Sequence, residues 1–258
     1  MVRALKTFLK DLFFIANRRP LGARASILSY HNIGTDRAFF TVHPAVLEKQ
    51  LRYLQEKKYT VVFLSELIRR LRAGGNVEGC IALTFNDGFE SVHADVLPLL
   101  RKYAMPASVF TTVEYLDTNI QTSDGFTFKT LSVSSVRELI ASGLVEFFPQ
   151  TQHRQPLDGV AFEQAAARVE QARKDLESVI KRSASVFAYP KGRYTHKLVE
   201  YLRTNAWDGA VTTAEGLVSG QTDPFLLPRN SIDSRTTFTQ FKGKVEGTID
   251  AYVARRAK

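Results

Sequence analysis

Five short polar segments, each near the end of an apolar run, carry the groups best suited to chemistry. They are His31-Asn32, Asn86-Asp87-Gly88, Gln150 to Arg154, Pro190 to Tyr194, and the stretch around Arg229. Asp87 is the one carboxylate among them, His31 and His153 are the imidazoles, and Arg154, Lys191 and Arg229 supply positive charge. A carboxylate at the end of a buried run can take a proton or hold a metal ion. Asn-Asp-Gly is also strong turn chemistry with no catalytic meaning, and the two readings of Asp87 stand level. Asn86 beside it has no lone pair basic enough to accept a proton near neutral pH, so it can position water but not deprotonate it.

These segments need a scaffold that brings them together. From Ala25 onward, short apolar runs alternate with amphipathic stretches, the pattern of repeated β–α units around a parallel sheet. Strands are expected at Ile27 to Tyr30, Tyr59 to Leu64, Cys80 to Phe85, Ala107 to Thr112, Leu144 to Phe148, Val186 to Tyr189 and Gly209 to Thr213. Helices are expected over Pro44 to Lys57, from Ser65 as N-cap to Leu71, around Leu97 to Leu100, and over Ser134 to Ser142, Ala161 to Lys181 and Lys197 to Thr204. In parallel α/β folds, functional residues gather on loops leaving the carboxyl ends of the strands. The five segments occupy such loops, so they should converge on one face.

With 44% hydrophobic and 24% charged residues, the chain has the composition of a globular protein able to bury a core. Its single cysteine, Cys80, excludes an internal disulfide and a thiolate metal cluster. The net charge of +9 suits anionic polymers or an acidic membrane surface. No zinc finger, RNA-recognition signature or dense Lys/Arg run interleaved with aromatics is present, so nucleic acid is not the expected partner. Residues 1–24 read as a basic amphipathic helix ahead of a domain spanning 25–258. Leu5, Phe8, Leu9, Leu12 and Phe13 stand at helical spacing among Arg3, Lys6, Lys10, Arg18 and Arg19. That helix either lies in a membrane interface through residues 1–20 or docks on its own domain. It is too short to span a bilayer, and Asp11, with no small-residue cleavage site after it, is a poor fit to a cleaved signal peptide. A cytoplasmic or membrane-peripheral location is the expectation.

The segments Ser29-Tyr30-His31-Asn32-Ile33, Ala82 to Gly88 (ALTFNDG), Pro98 to Phe110 (PLLRKYAMPASVF), Phe187 to Gly192 (FAYPKG) and Leu227-Pro228-Arg229 together resemble the polysaccharide deacetylase, or NodB homology, family. The order and spacing of the pieces carry the likeness over residues 25 to 241, and the branch acting on exported poly-N-acetylglucosamine is the nearest in pattern. The resemblance implies a single-domain, distorted or incomplete parallel (β/α) barrel of about seven strands. It also implies a site in which the first aspartate of a TFDDG motif is the base, the second holds a divalent metal, and two histidines spaced i and i+4 complete the metal site.

This chain departs from that pattern. Asn86 stands at the base position and Asp87 at the metal position. Laying EFFPQTQHRQPL on the second motif puts Gln150 and Arg154 at the histidine positions, and a one-residue shift offers His153 but pairs it with Pro149. Glutamine is a weak neutral ligand, and arginine repels a cation. A guanidinium at 154 would instead fill the metal space by pairing with Asp87. No cofactor is therefore expected, with zinc, nickel or cobalt as the alternative if the site functions. No clear late general acid is seen; His196 is nearest in sequence and reads as a surface helix residue. The implied partner is an N-acetylated saccharide or glycan, with a polysaccharide-biosynthesis protein as a further one. His31, His153, Tyr189, Pro190, Lys191, Gly192, Tyr194 and Arg229 are the candidate ligand contacts. Tyr189, Tyr194, Trp207 and Phe148 are the rings available to stack on a sugar, with core packing favoured for Phe148. The favoured reading is a pseudoenzyme that binds saccharide. The alternatives are an active deacetylase with His31 or His153 as base beside Asp87, and a basic membrane- or nucleic-acid-binding protein.

Overall fold

The apolar runs Ile27-Leu28, Ile81-Ala82-Leu83 and Val109-Phe110 leave no polar face to turn to water, which suits parallel strands covered on both sides. A computed structural model describes residues 2–122, 125–151 and 155–256 and arranges seven parallel strands around a ring. They are β1 (Ser26–Tyr30), β2 (Cys80–Asn86), β3 (Ala107–Thr111), β4 (Val145–Pro149), β5 (Val186–Ala188), β6 (Gly209–Val211) and β7 (Asn230–Ser231). The order β7-β1-β2-β3-β4 is continuous, with Leu28 opposite Leu83, Phe85 opposite Val109, and Val109 opposite Phe147. β5 and β6 form a separate pair. Single bridges close the two seams, Gln150 to Ala188 after β4 and Val211 to Leu227 between β6 and the approach to β7. The expected incomplete barrel of about seven strands is thus present, thinly hydrogen-bonded at those seams.

Helices return the chain between strands: α1 (Val2–Ala16) precedes the barrel, then come α2 (Pro44–Glu56), α3 (Leu64–Arg72), α4 (Leu97–Tyr103), α5 (Val133–Ala141), α6 (Phe162–Ile180), α7 (His196–Thr204), α8 (Phe238–Val245) and α9 (Thr248–Arg256). Side-chain acceptors begin several of them, as N-caps should: His43 Nδ1 accepts from Ala45 N, Ser132 Oγ from Ser135 N, and Thr195 Oγ1 from Leu198 N.

Several expectations change. Ser65 is not the N-cap of α3, where Phe63 stands; its amide and hydroxyl both donate to the Glu146 carboxylate on β4. The run from Tyr59 to Leu64 is extended only over Thr60–Val62, beside the first half of β2, while β3 takes the second half of the same edge. Gly209–Val211 does not close the series, because Asn230–Ser231 returns to pair with β1. The short antiparallel pair Asn119–Gln121 with Thr127–Lys129 and the helices α8 and α9 were not anticipated. The N-terminal helix does dock: Phe14 is buried, and its ring and that of Phe13 pack on Tyr252 of α9. No described helix is long and apolar enough to cross a membrane.

Candidate functional site

β2 ends in a left-handed turn that decides where Asp87 points. Asp87 has φ 74° and Gly88 φ 63°, a conformation costly for a residue with a Cβ. At Gly88 a Cβ would also overlap the Thr111 hydroxyl on β3, so glycine answers both the φ and the close approach. The turn delivers Asn86 and Asp87 to a cavity of about 320 Å³. His31 after β1, Gln150 after β4, Tyr189, Pro190 and Lys191 after β5, and Arg229 before β7 line the same cavity.

Asn86 is fully committed. Its amide nitrogen donates to Ser29 Oγ (2.9 Å) and the Tyr30 carbonyl (3.2 Å), and its oxygen accepts from Arg229 Nη1 (2.8 Å). The orientation is unambiguous, since a guanidinium only donates and a carbonyl only accepts. A carboxylate in this place would set an oxygen against the Tyr30 carbonyl. The His31 Nε2 is 3.5 Å from the same amide nitrogen, at the limit of a hydrogen bond.

Arg229 is the buried cation of the site. It donates through Nε to the Thr212 carbonyl (3.0 Å), and its guanidinium lies 5.1 Å from the Phe110 ring centroid. Burial lowers its pKa to about 10 while the Asp87 charge opposes the fall. It therefore stays protonated at neutral pH and offsets the carboxylate. Gln150 Nε2 donates to Asp87 Oδ1 at 3.0 Å, and only the N–H end of an amide can face a carboxylate in this way.

Among the described residues, this donor set does not make up a catalytic divalent-metal site. Three protein ligands are usual for zinc. Among the described residues no three His, Cys, Asp or Glu side chains converge on a metal position. Asp87 meets an N–H donor from Gln150 where a ligand lone pair would be needed, and a buried guanidinium shares the cavity.

The expected convergence holds for His31, Asn86, Asp87, Gln150, Tyr189, Pro190, Lys191 and Arg229. His153 and Arg154 lie outside the described residues, and with them the proposed Asp87–Arg154 pair. Gly192 (φ 70°) packs on Thr213 and does not line the cavity, and exposed Tyr194 packs against Tyr189 with tilted rings, centroids 5.1 Å apart. Trp207 is not available to a sugar: it is buried against Phe187, and its indole N–H donates to Glu170. Phe148 is core, packed on Phe110. His196 opens α7 on the surface and is not part of the cavity wall. His43 caps α2, and His93 Nε2 pairs with Glu138 at 2.8 Å. Ala188 of the FAYPKG motif is also in the wall, and Ser29, Thr212, Thr213 and Ser231 complete it unpredicted. Thr212 and Thr213 directly follow β6, so the strand-end rule could have found them.

Comparison with known proteins bears on the family and the fold. YxkH of Bacillus subtilis (strain 168), which carries the polysaccharide deacetylase name, is 23% identical over 90% of this chain and 79% of its own length. The poly-beta-1,6-N-acetyl-D-glucosamine N-deacetylase of Escherichia coli (strain K12) is 25% identical over 84% of the chain, which spans only 38% of that enzyme. Among solved structures, the Streptococcus pyogenes deacetylase PplD in complex with acetate superposes with a TM-score of 0.75 at 19% identity, covering 87% of this chain and 99% of its own. IcaB from Ammonifex degensii gives 0.74 at 20% identity, covering 87% and 97%. Residues 73–208, just over half of the sequence, match the family model described as polysaccharide deacetylase, and the chain belongs to the polysaccharide deacetylase family.

Proposed function

We propose that this protein binds an N-acetylated glucosamine polymer of the exopolysaccharide type without hydrolysing it by the family's metal-dependent route. The observation that carries the reading is Asn86: it stands where the resemblance places the base, and both ends of its amide are taken by Arg229, Ser29 and Tyr30. Without a proton acceptor there, water is not activated at that position. The exopolysaccharide class is supported by the named activity of the Escherichia coli relative.

The cavity retains what a saccharide needs. Its size is at the small end of ligand pockets, roughly 300–1,000 Å³. Tyr189 lines the cavity, while its hydroxyl is buried with no hydrogen-bond partner among the described residues and burial raises its pKa. Asp87 accepts from sugar hydroxyls, Lys191 donates, and Tyr194 extends an aromatic surface outward from Tyr189.

Titration calorimetry with an N-acetylated glucosamine oligomer and its deacetylated counterpart tests the proposal. Saturable binding of the acetylated form, weakened in Tyr194→Ala and Lys191→Ala and without acetate release, is expected. No binding of either oligomer would refute it. A second reading, hydrolysis with His31 as base beside Asp87, draws on their shared place in the cavity. It requires acetate release that survives a chelator and is lost in Asp87→Ala.

A further inference from the structure

Helix α1 has two apolar faces. Phe13 and Phe14 pack on α9, with Phe14 seated so closely over α8 that a Cβ on Gly243 would overlap its ring. Asp11 Oδ1 accepts from Thr237 Oγ1 and Gln240 Nε2, both at 2.7 Å, and Lys10 lies over the Tyr252 ring at 5.0 Å. Those contacts fix one side of the helix to the body. The opposite side carries Leu5, Phe8, Leu9, Leu12 and Ile15, between 44% and 58% exposed. Their spacing of i, i+3, i+4, i+7 and i+10 makes one continuous stripe. A contiguous apolar patch of this kind on a folded surface marks an interaction face.

The surroundings of the stripe are cationic. A groove along one flank of α1 is lined by Lys6, Lys10, Arg235 and Arg255. Beyond its carboxyl end, Arg18, Arg19, Lys57 and Lys58 share a second groove. The grooves also hold acids: Glu215 pairs with Lys244, Glu246 with Arg18 and Tyr53, Asp233 accepts from the Arg235 amide and the Thr236 hydroxyl, and Glu78 lies in the second groove. Cations outnumber acids in both grooves, so the outward field beside the stripe is positive. Two copies meeting face to face would bring these cations together, which disfavours self-association.

We infer that α1 docks this protein on an anionic lipid bilayer, lying in the interface with its outward stripe among the acyl chains and the flanking cations at the headgroups. The helix has 15 residues, about 22 Å at 1.5 Å per residue against roughly 30 Å of hydrocarbon, so it lies on the bilayer rather than crossing it. An apolar face backed by Lys and Arg is the composition of an interfacial helix. Ser231 lines both the flanking groove and the candidate site, so docking would hold the site close to the lipid surface.

Co-sedimentation of the full chain with vesicles of phosphatidylglycerol and phosphatidylcholine, against phosphatidylcholine alone, tests the inference, with light scattering for oligomeric state. Binding should require phosphatidylglycerol and weaken with salt. It should fall at least ~10-fold in Phe8→Glu/Leu12→Glu, whose changes lie on the exposed face, and fall as well in Lys6→Glu/Lys58→Glu. Absence of wild-type binding, undiminished binding of the Phe8→Glu/Leu12→Glu protein, or a vesicle-independent dimer abolished by that variant would overturn it. No saccharide is present in the assay, so its outcome is independent of the proposed function.

Discussion

Gly88→Ala separates steric crowding from backbone strain at the turn that presents Asp87. Gly74 provides the control: both glycines have φ 63°, but a Cβ at Gly74 meets nothing within 4 Å, whereas at Gly88 it overlaps the Thr111 hydroxyl and approaches Thr111 Cβ to 3.0 Å. An alanine held left-handed costs about 1–2 kcal/mol, offset by about 0.4–1 kcal/mol through a less flexible unfolded chain, so Gly74→Ala should lose about 1 kcal/mol. Gly88→Ala carries the same loss and adds overpacking of about 1–3 kcal/mol, for a total of about 2–4 kcal/mol. Thr111→Ala in the Gly88→Ala background should recover part of the added loss, because the overlapping hydroxyl is gone. Urea unfolding followed by Trp207 fluorescence and circular dichroism gives the three free energies. Equal losses for Gly88→Ala and Gly74→Ala would refute the crowding argument.

Two further substitutions probe the buried polar groups. Arg229→Lys keeps the charge but cannot reach both Asn86 Oδ1 and the Thr212 carbonyl, so one buried acceptor loses its donor at a cost of about 1–3 kcal/mol; an unchanged urea midpoint would contradict this. Burial holds Glu146 above the usual carboxylate range, with hydrogen bonds from Ser108 and Ser65 opposing the rise. The folded state then binds that proton more tightly than the unfolded chain, so stability falls as pH rises from the ordinary carboxylate value through the raised one. Glu146→Gln should remove this slope, and parallel stability–pH curves for the two proteins would argue against it.

What the sequence revealed depended on pattern length. Cys80 to Asn86 is a seven-residue buried run ending in turn chemistry, so both the strand and the presentation of Asp87 could be read from it. Asn230–Ser231 is a strand of two residues with no periodicity, and only its partner β1 makes it one. The helices α8 and α9 carry Lys, Thr and Arg at many positions, and what organises them is Phe14 arriving from the other end of the chain.

At the site, residue types were legible but their bonding was not. Asn86 could be recognised as a poor base from chemistry alone. That its oxygen is held by Arg229, 143 residues away, follows only from the closed ring. Gln150 was placed by its resemblance to a histidine position; the structure gives it a donor role toward Asp87 that no local pattern encodes. Trp207 misled because an aromatic near a strand gives no sign of whether its ring faces a cavity or the core.

Acetate release from an N-acetylated glucosamine oligomer tests the central claim most directly, with the protein first stripped by chelator and then supplied with zinc, nickel or cobalt. The account predicts that the oligomer binds and that no acetate appears above the blank with or without metal. Metal-dependent turnover that disappears in Asp87→Ala would contradict it.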